Sequence, residues 1–227
     1  AAIESGAKKV LIVCPSSVKI NWKRELSVFV DTNDISIVDG KKWVESKFTI
    51  INFDILKNFH TVKKQKGKNS DNLPIKLNRE IVNGNFDLCI IDEAHYLKNI
   101  KSIRSEIMLD YTTKNNINKV WLLTGTPVDN RPMDYFSLLK LVKSPISENW
   151  MHYAKRYCAG KKQFRTAKDG SKKQFWITTG ASNLEELAQK TKNVTLRRVN
   201  DEVSDMPEKM VIPMYYKLTE DQWDDYN

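Results

Sequence analysis

Five short apolar runs constrain this chain more than any other feature: "KVLIVCP" (9–15), "ISIVDG" (35–40), "FTIINFD" (48–54), "FDLCIID" (86–92) and "VWLLTGTP" (120–127). None alternates apolar with polar residues, so neither face of such a strand can meet water. Runs of this kind build a parallel sheet covered by helices. Helical patterns occupy the intervals. In "SSVKINWKRELSVFV" (16–30), Ser16 or Ser17 is placed to cap, and Trp22, Leu26, Phe29 and Val30 recur at helical spacing. In "RPMDYFSLLKLV" (131–142), Met133, Phe136, Leu139 and Val142 form a second stripe. Strand and helix alternate, which predicts the α/β class. A length of 227 residues suffices for one large domain or two small ones.

In such a sheet, ligands collect where strands deliver their carboxyl ends. Asp92 and Glu93 close the fourth run. Two adjacent carboxylates there are costly to keep ionised unless a cation or a phosphate-bound metal compensates. A Walker B element meets that need: Asp92 holds Mg²⁺ through water, and Glu93 orients and deprotonates the water that attacks the γ-phosphate. ATP and Mg²⁺ are then the cofactors. An ordinary acidic turn is the competing reading of "IIDE" taken alone. Two more strand-end loops favour the first reading. "LLTGTP" (122–127) sets Thr124 and Thr126 around Gly125, a loop able to hydrogen-bond the acidic box and couple it to a second surface. "CPSSVKINW" (14–22) puts Ser16 and Ser17 at a helix N-terminus, where backbone N–H groups suit a phosphate.

The 37 Lys and Arg against 28 Asp and Glu leave a net charge of +9, which favours an anionic partner such as nucleic acid, although a generally basic surface explains it equally well. The charge concentrates in "KRYCAGKKQFRTAKDGSKKQFW" (155–176), which carries Lys155, Arg156, Lys161, Lys162, Arg165, Lys168, Lys172 and Lys173. Asp169-Gly170 predicts a hairpin turn at its centre. With Phe164, Phe175 and Trp176 interleaved, the hairpin either lies along a phosphate backbone or is a solvated excursion. "HTVKKQKGKNSDNLP" (60–74) reads as a surface loop, "SNLEELAQKTK" (182–192) as a helix opened by a Ser182/Glu185 capping box, and the stretch from Met206 as a connector. Trp22 and Trp121 read as core fillers and receive no assignment. Cys14, Cys89 and Cys158 lack metal or disulfide spacing, so a reducing intracellular compartment is expected. No apolar run approaches the roughly 20 residues of a membrane span and no leader opens the chain, so no membrane partner is expected.

Taken in order, these motifs resemble the first RecA-like lobe of Swi/Snf-family ATPases, a branch of the superfamily-two helicases. "CPSSVKINWKREL" resembles motif Ia, which implies DNA-backbone contacts for Ser16 and Lys19. "FTIINFDIL" resembles motif Ib and implies the same for Asn52, with Asn52 and Phe53 standing where the family often has Ser or Thr and Tyr. "IIDEAHYLKN" is similar to the DEAH box with its following Lys98-Asn99 pair, which joins the DNA-contacting set together with Lys161, Lys162, Arg165, Lys172 and Lys173. The likeness makes His95 part of the catalytic group with Asp92 and Glu93, bonded to motif III or to the other lobe rather than to a metal. "LLTGTPVDNRPMDYFSLL" is similar to motif III, in which Asn130 often follows. A narrower likeness to HepA-related annealing helicases rests on "RYC" (156–158), "SNLEEL" (182–187), "LRR" (196–198), Val203 and Pro207-Glu208-Lys209, with Asn200 and Met206 departing from it. The Lys/Asn/Ile-rich composition fits an AT-rich genome, bacterial or viral.

The resemblance implies a RecA-like sheet over 1–205, a basic insertion at about 155–176, and a connector over 206–227 toward a second RecA-like lobe of the same parent chain. Arg197 and Arg198 either brace that lobe interface or end a solvated basic helix. The family's Gly-rich phosphate loop ending in GK[ST] does not occur in the sequence; its expected place is just before Ala1. The implied function is the ATPase lobe of an ATP-driven translocase on duplex or branched DNA, inactive as this chain alone. A strand-separating helicase, a restriction-enzyme motor and a DNA-binding scaffold without ATPase activity are the alternatives.

Overall fold

The computed structural model describes residues 2–40, 42–44, 46–61, 76–77, 84–114, 117, 119–126, 131–166, 172–197, 212–215, 217, 219 and 222–223. Most of the loop expected at 60–74, Lys168, the Asp169-Gly170 turn, Asn130, Arg198, Asn200, Val203 and the stretch from Met206 through Lys209 lie outside the described residues.

All five apolar runs become strands of one parallel sheet. β1 (Val10–Cys14), β2 (Ile35–Ile37), β3 (Phe48–Asn52), β6 (Leu88–Asp92) and β7 (Lys119–Leu123) stand in the order β2-β3-β1-β6-β7. Between β3 and β6, the two-residue strands β4 (His60–Thr61) and β5 (Lys76–Leu77) pair with each other, antiparallel. β1 lies between β3 and β6, with Val10 level with Phe48 and Leu88, and Cys14 level with Asn52. Asp92 stands level with Leu123 on β7.

The lack of alternation follows from the two layers that cover the sheet. Leu11, Val13, Ile51, Cys89 and Ile91 pack on one face with Ile107, Met108 and Tyr111 of α2 (Ile103–Lys114) and Leu138 and Leu141 of α3 (Pro132–Leu141). Their neighbours Val10, Ile12, Cys14, Phe48, Ile50, Leu88 and Ile90 pack on the other, under Trp22 and Leu26 of α1 (Lys19–Leu26). Each fully buried aliphatic side chain contributes about 1.5–3 kcal/mol, so both faces repay the cost of ordering the strands. β7 is different. Among the described residues it is the sheet edge, with Val120, Trp121 and Leu122 half-buried and Leu123 41% exposed.

A third cluster joins Phe136 and Leu139 of α3 to Tyr153 and Tyr157 of α4 (Trp150–Tyr157), Cys158, and Leu187 of α5 (Leu184–Thr191). From it projects the hairpin of β8 (Lys161–Thr166) and β9 (Lys172–Ile177), antiparallel and in the register Arg165 to Lys173. The compact unit spans Ala1–Val194, and Thr195–Asn227 forms a second unit, in which Leu196, Ile212, Met214 and Tyr215 are exposed. Among the described residues no helix is long and apolar enough to cross a membrane.

Three local expectations are corrected. Ser16 and Ser17 do not cap α1: they form a 3₁₀ turn after Pro15, and Val18, whose side chain cannot accept a hydrogen bond, occupies the N-cap. α1 also stops at Leu26, so Phe29 falls beyond it and is 80% exposed, while Val30 packs under the sheet. Ser182 forms no capping box, because α5 starts from Asn183 in a left-handed conformation without a side-chain cap. The Ser182 hydroxyl instead donates to the Arg156 carbonyl at 2.7 Å and accepts the Ala159 N–H at 3.2 Å, closing the base of the hairpin.

Glu186 on α5 ties the same region together. It accepts hydrogen bonds from the Arg156 guanidinium, from Lys190 at 2.9 Å and from the Tyr157 hydroxyl at 2.9 Å. The Arg156 hydrogen bonds foremost, then those of Lys190 and Tyr157, pull its carboxyl down to about 2. A depressed folded-state value stabilises the fold above the ordinary carboxylate range and loses that stabilisation as pH falls through the folded value. The unfolding midpoint of the chain is therefore expected to fall between pH 4.5 and about 2, and Glu186→Gln to flatten that part of the profile. Urea melts of both proteins across this window check it.

Candidate functional site

Parallel strands place their carboxyl ends on one edge, and there the structure assembles most of the residues singled out from the sequence. β6 ends on Asp92, whose Oδ1 accepts the Glu93 N–H at 2.9 Å and whose Oδ2 accepts the Trp22 indole N–H at 2.8 Å. Glu93 then turns the chain at once. Its backbone is left-handed, φ 49° and ψ 48°, which breaks the strand and opens the 3₁₀ turn Ala94–Leu97. A non-glycine residue held there costs roughly 1–3 kcal/mol, a strain that proteins retain where function uses it.

The Glu93 side chain, 46% exposed, reaches back so that Oε2 lies 3.0 Å from His95 Nδ1. The same nitrogen lies 3.4 Å from the Thr124 hydroxyl, which accepts the Thr126 N–H at 3.1 Å. An ionised carboxylate only accepts, so a hydrogen on His95 Nδ1 serves Glu93 and meets Thr124 as a second acceptor. One imidazole nitrogen thus joins the acidic box to the Thr124-Gly125-Thr126 loop. The imidazole ring stacks on Tyr96 (4.8 Å between centroids), Tyr96 stacks on Phe53 (5.5 Å), and the Arg104 guanidinium lies 5.6 Å over Tyr96.

The other sequence candidates divide. Ser16 is exposed beyond β1, and Lys19, half-buried, donates from Nζ to the Val38 carbonyl at 3.2 Å. Asn52 is not at the surface. As the last residue of β3 it is 4% exposed, its Nδ2 facing Asp54 at 3.5 Å and its Oδ1 without a partner among the described residues, so a direct backbone contact does not fit this geometry. Asn99 is exposed, but its Oδ1 accepts the Lys101 N–H at 3.1 Å and so shapes the turn into α2; Lys98 is half-buried. Lys161, Lys162, Arg165 and Lys172 are exposed on the hairpin, and Lys173 is held opposite Arg165 by the register. Trp176 packs edge-on against Trp150 (5.8 Å) beneath the amines of Lys162 and Lys155, which docks the hairpin on α4.

Trp22 is the contact to the acidic box that the sequence reading missed. Its signal was available: a tryptophan one turn into the helix that follows β1, whose indole N–H requires a partner if the ring is buried. The three cysteines are free and buried. Burial pushes the Cys14 thiol up to about 12, with Asp92 adding and Lys19 subtracting, and pushes Cys89 to about 12 and Cys158 to about 11, so none is an activated nucleophile. Among the described residues no group of three or more His, Cys, Asp and Glu could cage a metal. The Asp92 carboxylate, at the end of β6, fits Mg²⁺ held by one carboxylate together with water and nucleotide phosphates, the mode this ion prefers.

The SNF2-related domain family matches residues 2–227. The chain belongs to that family. The mouse DNA annealing helicase and endonuclease ZRANB3 is 31% identical over 209 residues, covering 88% of this SNF2-related domain and 18% of the mouse protein. A Caenorhabditis elegans homolog of SWI/SNF-related matrix-associated actin-dependent regulator of chromatin subfamily A-like protein 1 is 29% identical over 211 residues, covering 88% of the chain and 26% of that protein. The Sulfolobus solfataricus SWI2/SNF2 ATPase core in complex with dsDNA shares the fold, with a TM-score of 0.58 at 19% identity over 100% of this chain and 42% of its own. The chain is thus an SNF2-related domain built on a parallel α/β sheet with the fold of that core, and it spans only a minor part of its curated relatives.

The strain at Glu93 is measurable. Glu93→Asn places a residue tolerant of the left-handed region there and removes the carboxylate beside Asp92, at the loss of one half-exposed contact with His95. It is expected to raise stability by about 0.5–1 kcal/mol, read from the denaturant midpoint of this domain.

Proposed function

We propose that this SNF2-related domain is the first RecA-like lobe of an ATP-driven double-stranded DNA translocase that remodels duplex or branched DNA. The observation that carries the reading is the linkage of Asp92, Glu93, His95 and Thr124 at one sheet edge. Mg²⁺-ATP, when bound, supplies the electrophilic γ-phosphate. Asp92 would hold the ion through its bound water, and Glu93 would orient the attacking water and take its proton. His95 holds Glu93 and shares its nitrogen with Thr124, so a displacement of the Thr124–Thr126 loop reaches the base directly.

DNA enters this reading through charge. Ser16 lies in the 3₁₀ turn after β1 and Lys19 opens α1, and the hairpin places Lys161, Lys162, Arg165, Lys172 and Lys173 on two short strands. The exposed side chains of Lys161, Lys162, Arg165 and Lys172 give the hairpin a positive surface suited to an anionic backbone. That one solved relative of this fold is described in complex with dsDNA supports the same partner. Residues 1–205 serve as the lobe and 206–227 as the connector to the second RecA-like lobe of the parent. The open, half-apolar edge of β7 supports a parent sheet that continues past it, since an uncovered edge strand of this kind invites pairing. An intracellular, reducing compartment suits three free buried thiols.

The test is ATP hydrolysis by the full-length parent with duplex, single-stranded and forked DNA at several salt concentrations. Duplex or forked DNA is expected to stimulate turnover, and Glu93→Gln to lower kcat by roughly 10²–10⁴-fold while DNA and ATP still bind. This chain alone is expected to hydrolyse no ATP. Near-normal turnover in Glu93→Gln removes the base from the mechanism, and a lack of stimulation by any DNA favours a binding scaffold. In the same protein, replacing Lys161, Lys162, Lys172 and Lys173 by Ala is expected to lower the slope of log K against log salt by roughly 0.9 for each phosphate that is no longer neutralised. An unchanged slope returns the hairpin to a solvated excursion.

A further inference from the structure

The side chain that orients the metal-side carboxylate comes from α1, far from the acidic box in the chain. Trp22 and Asp92 are 70 residues apart, yet the indole N–H meets Oδ2 at 2.8 Å. The ring is half-buried and packs with Val18, Leu26 and Trp121 over the Val10, Ile12 and Cys14 face of the sheet, so its N–H is fixed in direction by packing. The opposite oxygen is fixed as well, because Oδ1 takes the Glu93 N–H at 2.9 Å from a backbone locked in the left-handed turn. With one donor on each oxygen, the carboxylate plane has a single orientation.

We propose that Trp22 is a positioning residue for Asp92: it sets the carboxylate plane toward the metal without neutralising its charge. The inference rests on the reading of Asp92 as the Mg²⁺-side carboxylate. An indole is suited to this task because it donates one hydrogen bond and carries no charge. A lysine or arginine at the same place would pair with Asp92 and compete with the cation, whereas a phenylalanine would fill the same space and leave Oδ2 free to rotate. Loss of a group that orients a metal-side carboxylate typically costs about 10–100-fold in metal affinity. Trp22 also lies one helical turn beyond Lys19, so the helix that begins at the loop proposed to meet DNA carries the donor that aims the carboxylate.

The experiment uses the full-length parent and Trp22→Phe, with Glu93→Gln prepared alongside. Trp22→Phe is expected to raise the Mg²⁺ concentration for half-maximal ATPase by about tenfold, the lower end of the effects seen when a supporting hydrogen bond is removed from a metal site. Mn²⁺ binding to the ATP-loaded protein, followed by electron paramagnetic resonance, is expected to weaken by a similar factor, while affinity for duplex DNA stays within about twofold. A core filler would shift the melting temperature and leave both metal titrations in place. If Trp22→Phe does not fold, benzothienylalanine at position 22, with sulfur in place of the N–H at nearly the same volume, carries the same expectations, and 7-azatryptophan, which keeps the donor, is expected to behave as the parent does. Metal titrations unchanged within about twofold in a folded variant overturn the positioning role. When Glu93→Gln is inactive in that same comparison, the proposed site stands and only Trp22 loses its part; when Glu93→Gln turns over normally, the site reading fails and the role of Trp22 falls with it.

Discussion

A strand that is dry on both faces has only its ends left for chemistry. β1 and β6 are such strands, and their parallel pairing puts every carboxyl end on one edge. The rest of the molecule depends on this constraint. It requires a helical layer on each side, supplied by α1 on one face and by α2 and α3 on the other. It also gathers Cys14, Asn52, Asp92 and Thr124 along one rim, although they are scattered through nearly half of the chain.

The rim is where local preference gives way to chemistry. Glu93 occupies a backbone region that costs free energy, and two carboxylates follow one another at the end of a buried strand. The surrounding structure compensates through directed hydrogen bonds rather than through charge: an indole N–H and a peptide N–H on Asp92, and an imidazole on Glu93. Neither donor on Asp92 carries a positive charge that would compete with a cation. Stability is lost at Glu93 and at the exposed edge of β7, and it is recovered in the two apolar layers that cover the sheet.

The basic hairpin is organised independently of that rim. Its base is closed by Ser182 and Glu186, and its inner end rests on Trp150 through Trp176. β8 is exposed along its whole length, and Lys172 is exposed on β9. A rigid base with a solvated basic extension suits contact with a polyanion, in which shape and charge matter more than side-chain fit.

Much of this was legible in the amino-acid sequence, and for local reasons. Continuous apolar runs identify strands buried on both faces because each run reports its own environment, and their polar ends locate Asp92, Glu93, His95 and Thr124 because strand direction is shared. What the chain could not announce was the choice of partner. Ser182 looked like a cap and became a clamp on Arg156; Asn52 looked like a surface contact and is buried beside Cys14; Phe29 continued a helical stripe past the point where the helix stops. Trp22 looked like filler, and only the packing of α1 across the carboxyl edge brought its N–H to Asp92. Periodicity is a property of neighbours in sequence, whereas a hydrogen bond between residues 70 positions apart is decided by where two layers meet.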